Sequence, residues 1–246
     1  NSVPSAIRHL TTSRDTYKNT PVAADRALSA EQFALVDDTV PTSLLNRLIK
    51  EATDVELAEA AQAPITDAYA LADARLRMFL SHFHQGLDHG ILRGTFAAGA
   101  RSYYGRDVGA TSIPDPADAD ELAAVTLKIV TGEADRATAE GAAHVPMAMP
   151  SAAEVAAVRT AFNTLRLQQQ QATIKTNRER EEVQPVLAEA IPVCKDFADT
   201  TEFFYRKDTN DASRRQKCEQ WGVLYIFEPN EPGTPPANSN PPAPNP

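Results

Sequence analysis

The chain has 246 residues, of which 42% are hydrophobic and 23% charged, with a formal net charge of −9. An acidic balance argues against nucleic acid as the main partner, and no run approaches the ~18 apolar residues of a membrane span. Alanine supplies much of the apolar count and glycine is scarce, at 10 residues, which favours an α class.

Residues 1–28 are polar and rich in Ser and Thr, with Val3, Ile7 and Leu10 as the large apolar anchors of the first ten. They read as an extended arm. The chain opens on Asn1, which reads as a processed or trimmed start and leaves the compartment open. Ser29 and Gln32 have the Ser-x-x-Gln form of a capping box, which predicts a short helix through Val36. A long helix is expected over 43–61, with Leu45, Leu48, Ile49, Ala52 and Val55 at helical spacing. Pro64 then reads as the first-turn proline of a second helix. That helix has the cleanest stripe in the chain: Ile65, Tyr69, Ala72, Leu76, Phe79, Phe83 and Leu87.

Residues 94–117 carry Gly94, Gly99, Gly105, Gly109, Pro114 and Pro116 and read as a loop, pinned by Tyr103 and Tyr104. Asp118 and Glu121 cap a third helix with Leu122, Val125 and Ile129 inward, which Gly132 is placed to interrupt. Ser151 and Glu154 form the clearest capping box. The helix it opens packs through Val155, Val158, Phe162 and Leu165, then turns polar over 168–182. A polar helix bridges solvent or packs in an assembly. Pro185 and Pro192 are expected to kink or restart it. Asp211 can cap a last short helix, which Gly222 ends. The run Trp221-Gly222-Val223-Leu224-Tyr225-Ile226-Phe227 is apolar, β-branched and aromatic, so 223–227 reads as a strand that needs a pairing partner. Eight of the eighteen residues in the 229–246 tail are proline, a polyproline or disordered composition.

The densest cluster of chemical residues is His82, His84, Asp88 and His89. His82 and His84 face different ways, and His82 and His89 stand roughly 10 Å apart along a helix, so they do not share a metal ion. His84 and Asp88 are an i, i+4 pair suited to hydrogen bonding. Gly86, Gly90 and Gly94 recur every fourth residue, fitting either a close helix crossing or a fraying helix end. Arg206, Lys207, Arg214, Arg215 and Lys217 cluster near Tyr205 and Trp221. Interspersed Glu202, Asp208, Asp211 and Glu219 favour internal salt bridges over a phosphate or nucleic-acid site. Cys194 and Cys218 read as two free thiols. No nucleophile elbow, P-loop, dinucleotide fingerprint or zinc motif is present, so no cofactor is expected and the reading leans away from an enzyme while leaving catalysis open.

Phe203-Phe204-Tyr205-Arg206, then Ser213-Arg214-Arg215 followed by Trp221-Gly222-Val223, resemble a group of uncharacterised bacterial helical proteins. The stretch from His82-Phe83 to Tyr103-Tyr104-Gly105 does so less sharply. The resemblance covers roughly residues 43–228 and implies a helical fold without an established activity.

The expected fold is mainly α: an antiparallel long-helix bundle over 29–228 with a short C-terminal strand, between an extended N-terminal arm and a proline-rich tail. The expected function is a structural subunit that assembles with copies of itself, as a homo-oligomer or filament, through strand, arm and tail. The candidate contacts are Trp221, Val223, Leu224, Tyr225, Ile226 and Phe227. The alternatives are a ligand- or protein-binding helical module and, weakest, a metal enzyme using His82, His84 or His89.

Overall fold

A computed structural model describes residues 2–225. Ile226 and Phe227 of the expected strand, and the 229–246 tail, lie outside the described residues. Among those described the protein is helical, with no strand: α1 (Val3–Asn19), α2 (Ala30–Ala34), α3 (Leu44–Leu92), α4 (Ala100–Tyr103), α5 (Ala119–Glu140), α6 (Ala152–Phe204) and α7 (Asp211–Gln220).

Three expectations about these elements are corrected. The extended arm over 1–28 is instead largely α1. Pro4 sits in its first turn, where a missing N–H is tolerated, and the buried Ala6, Leu10 and Ser13 recur every three or four residues. Two of those three are small, which hides the period from a search for large apolar side chains. The two helices expected on either side of Pro64 are one helix, α3. Likewise, Pro185 and Pro192 lie inside an unbroken α6. An interior proline costs about 3 kcal/mol, but all three rings lie on exposed positions. The buried stripe of Val183, Val186, Ala190 and Phe197 runs past both α6 prolines, so packing outweighs the local loss. The third correction is the strand: residues 223–225 are irregular.

The described residues gather into two compact units. The first joins the two ends of the described chain, residues 2–57 and 177–225. Its core sets Leu10, Val36, Leu45 and Leu48 against Val183, Val186, Phe197 and Trp221. The predicted capping box at Ser29 and Gln32 is formed, and the Gln32 amide also donates to Asp196 Oδ2 at 2.6 Å and Thr200 Oγ1 at 3.0 Å. Arg47 grips Glu189 with two bonds, at 2.8 and 3.2 Å.

The second unit is residues 58–176. Leu76, Phe83 and Leu87 of α3 pack with Leu122 and Ile129 of α5 and Val155 and Phe162 of α6. Asp118 caps α5 by accepting from Glu121 N at 2.8 Å. The capping box at Ser151 starts α6: Glu154 N donates to Ser151 Oγ, and Ser151 N to Glu154 Oε2. Over 58–72 and 162–176 the α3 and α6 chains run antiparallel. Gln62 Nε2 donates to Thr173 Oγ1 at 3.0 Å, and the Tyr69 and Phe162 rings lie 5.6 Å apart. Ala172 and Gln169 are half-buried and Thr176 is buried. The polar segment of α6 therefore meets the alanine-rich part of α3 along this seam.

The loop after α3 is clamped at close quarters. A Cβ on Gly90 would meet the Phe96 ring at 2.3 Å, and one on Gly132 would meet Tyr103 O at 2.1 Å. With Gly86 facing Met149 O at 3.0 Å, two of the three glycines of the 86/90/94 series admit loop segments rather than another helix, while Gly94, at φ +76°, has nothing within 4 Å. Gly132 lies within α5 without interrupting it. An ordinary helix-interior Gly→Ala change gains about 1 kcal/mol. Gly132→Ala should instead lower stability, by about 1–3 kcal/mol, because the obstructing atom is backbone. Urea denaturation of parent and variant measures the sign.

Candidate functional site

The residues singled out at the C-terminal end are held inside their own chain. Ser13 Oγ of α1 donates to Trp221 O at 2.6 Å, and Thr16 Oγ1 donates to Gln220 O. Gly222 has φ +87°, and a Cβ there would lie 2.7 Å from His9 O. The chain can turn against α1 because glycine accepts both conditions. Trp221 is buried, with its Nε1 donating to Tyr205 Oη at 3.1 Å. Val223 is buried, Leu224 is exposed, and the Tyr225 hydroxyl donates to Glu202 Oε1 at 2.9 Å. The partner of this segment is the N-terminal stretch, but as a helix whose hydroxyls meet two carbonyls rather than as a paired strand.

Beside it lies a cavity of about 290 Å³ lined by His9, Cys194, Lys195, Ile191, Val223 and Leu224. Cys194 and Cys218 are free thiols. Burial pushes the Cys194 thiol up to about 11, so it is protonated at neutral pH and a poor nucleophile. The basic residues nearby are engaged locally. Lys217 bonds Asp208 at 2.6 Å, Arg214 bonds Asp211 at 2.8 Å, and the Arg206 guanidinium lies 3.8 Å from the centre of the Phe203 ring. Two of the cluster's five cations, Arg214 and Lys217, thus sit in local salt bridges.

The histidines of α3 separate into two environments. His82 and His89 line an open cleft of about 450 Å³ together with Phe79, Gln85, Met149 and Glu154. His84 is fully buried, and neither ring nitrogen has a hydrogen-bond partner. Its expected bond with Asp88 does not form. Asp88 instead takes Arg101 Nε at 2.8 Å and the Arg106 guanidinium at 3.0 and 3.1 Å. Burial alone would raise the Asp88 carboxyl, but the two arginines outweigh it and hold the carboxyl below its usual value. Arg101 and Arg106 also donate to Val108 O and Ala110 O, so one carboxylate organises the loop after α4. Among the described residues no group of three His, Cys, Asp or Glu side chains is placed to hold a metal ion.

A second buried polar centre sits on α5. Arg136, with 1% of its side chain exposed, donates to Tyr104 Oη at 2.7 Å and Val145 O at 2.7 Å. It pairs with Glu133 and Glu140 at 3.2 Å each. The His144 ring lies between the same carboxylates, at 3.3 Å from Glu133 and 3.1 Å from Glu140. Burial works against the Glu133 charge, but the Tyr104 hydroxyl, the Met147 N–H and Arg136 together hold its carboxyl below the usual range. A fully partnered network of this kind fixes geometry: it ties the loops before α5 and after it to one helix face. The sequence signal was present, since Glu133, Arg136, Glu140 and His144 follow one another at intervals of three, four and four.

No family model matches the sequence, and no curated protein or solved structure matches it either. The resemblance to bacterial helical proteins gains no support from these comparisons.

His84 makes a pH prediction. Burial, with the Arg106 charge nearby, lowers it to about 4, whereas an unfolded histidine titrates near 6.5. Between those values the unfolded chain binds the extra proton, so stability falls as pH drops from about 6.5 towards 4. His9, also lowered by burial, acts in the same direction. His84→Leu should flatten the dependence over that window, read as denaturation midpoints at pH 7 and pH 5. An unchanged slope would remove His84 from the account.

Proposed function

We propose that the protein is a structural, self-associating subunit whose contacts are helical. The observation that carries this reading is the amount of large apolar surface left in water on the 58–176 unit. Leu71 is 73% exposed, Leu92 82%, Met149 84%, Leu167 56% and Ile174 68%. Scattered exposed leucines are ordinary, but several large ones on one small unit favour an association surface. This reading places the contacts away from α1 and Trp221–Val223, because those segments pack on one another within one chain.

A second reading, a ligand-binding helical module, is favoured by the cleft at His82 and His89, where two imidazoles and the Glu154 carboxylate face one open space.

Light scattering coupled to gel filtration discriminates the two. Self-association predicts a mass that is a multiple of 26.6 kDa and falls on dilution. A mass of one chain across a wide concentration range would rule the subunit reading out and leave the module.

A further inference from the structure

The middle of α6 carries an exposed face whose chemistry differs from the rest of the helix. Between Thr160 and Ile174 every exposed side chain is uncharged. The charged residue at 166 is turned into its own unit: Arg166 bonds Asp120 on α5 at 2.7 Å. Charge returns directly after Ile174: Lys175, Arg178, Arg180, Glu181 and Glu182 are all exposed. A helix face kept in water usually mixes charges of both signs, whereas depletion of charge around exposed aliphatic side chains marks the centre of an interface.

The face is also self-complementary. Leu167 and Ile174 are seven residues apart, hence on one side of the helix and about 10 Å apart along it. Midway between them, on the same side, lie the exposed Gln170 and Gln171. A two-fold axis through that midpoint, perpendicular to α6, brings Leu167 of one copy onto Ile174 of the other, and the reverse. It also sets the glutamine pairs face to face. A carboxamide both donates and accepts, so it is satisfied by an identical group. Between Leu167 and Ile174 a charged partner would find no exposed counter-charge on α6.

We infer that α6 pairs antiparallel with α6 of a second copy of this chain, centred on Gln170 and Gln171, with Leu167 and Ile174 as the apolar anchors. The contact is isologous and closes at two copies. This deepens the subunit reading and rests on it. The seam on the opposite side of α6, where Ala172 and Thr176 face α3, remains within each copy.

Two kinds of variant test the pairing. Leu167→Lys and Ile174→Lys alter exposed positions, so circular dichroism should report unchanged helix content. Each should weaken dimerisation by about tenfold or more, and the double variant should run at the mass of one chain. Independently, Gln171→Cys places a thiol beside the axis, and oxidation should trap a covalent dimer on a non-reducing gel. Thr160→Cys, far from the axis, should not. If the parent chain self-associates but the lysine variants associate equally well and Gln171→Cys gives no trapped dimer, this pairing is overturned while the subunit reading stands. If the parent chain is monomeric throughout, both are overturned.

Discussion

Two helices side by side can each hide one stripe from water, and both units of this protein are built on that constraint. In the 58–176 unit the stripe of α3 that includes Ile65, Tyr69, Ala72 and Leu76 faces α6 along Val158, Phe162, Leu165 and Ala172. Where α5 covers the pair, Leu76 and Phe162 are fully buried; where two helices stand together, Ile65, Leu165 and Ala172 remain half-buried. The seam keeps its register there by other means, with Gln62 bonded to Thr173 and alanine on α3 allowing close approach. Packing thus sets the local chemistry: large aliphatic residues where three helices meet, and glutamine, threonine and alanine where two do.

That arrangement explains which parts of the fold were legible. The capping boxes at Ser29 and Ser151 are local statements about a few backbone N–H groups, and both hold in three dimensions. The prolines were misleading because their penalty is also local, whereas the stripe that overrides it extends over several turns on each side. The N-terminal helix was hidden by small buried residues, Ala6 and Ser13, which bury little area but allow close contact. The strand reading of 223–227 relied on β-branched and aromatic content. In the described part of that run, Trp221 and Val223 find burial against a helix instead, and the backbone turns at Gly222 rather than extending.

The chemical residues were legible in kind and less so in partnership. The histidines of α3 stood out, yet Asp88, read as the partner of His84, serves two arginines more than ten residues away, Arg101 on α4 and Arg106 in the loop after it. Which of several nearby cations a carboxylate takes is a tertiary fact. Arg136 escaped notice as a single arginine on an alanine-rich helix, although its neighbours at helical spacing supply most of its bonds. Both centres have the same effect: a buried charge, expensive unless partnered, becomes the point to which otherwise irregular chain is fastened.

The clasp between α1 and Trp221 gives the two units different histories during synthesis. Residues 58–176 are contiguous, and every contact that defines their core is available once that stretch has emerged from the ribosome. The other unit is assembled from two separated stretches, residues 2–57 and 177–225, and Ser13 must wait for a carbonyl 208 residues downstream. Domains fold as units while the chain is still growing, and closing so long a loop costs entropy before any contact rewards it. The apolar side of α1, with Ala6 and Leu10, is therefore without its final partner until Trp221 has been added, 208 residues after Ser13. That side is open to premature association in the meantime, and Trp221 is the residue whose arrival closes the clasp.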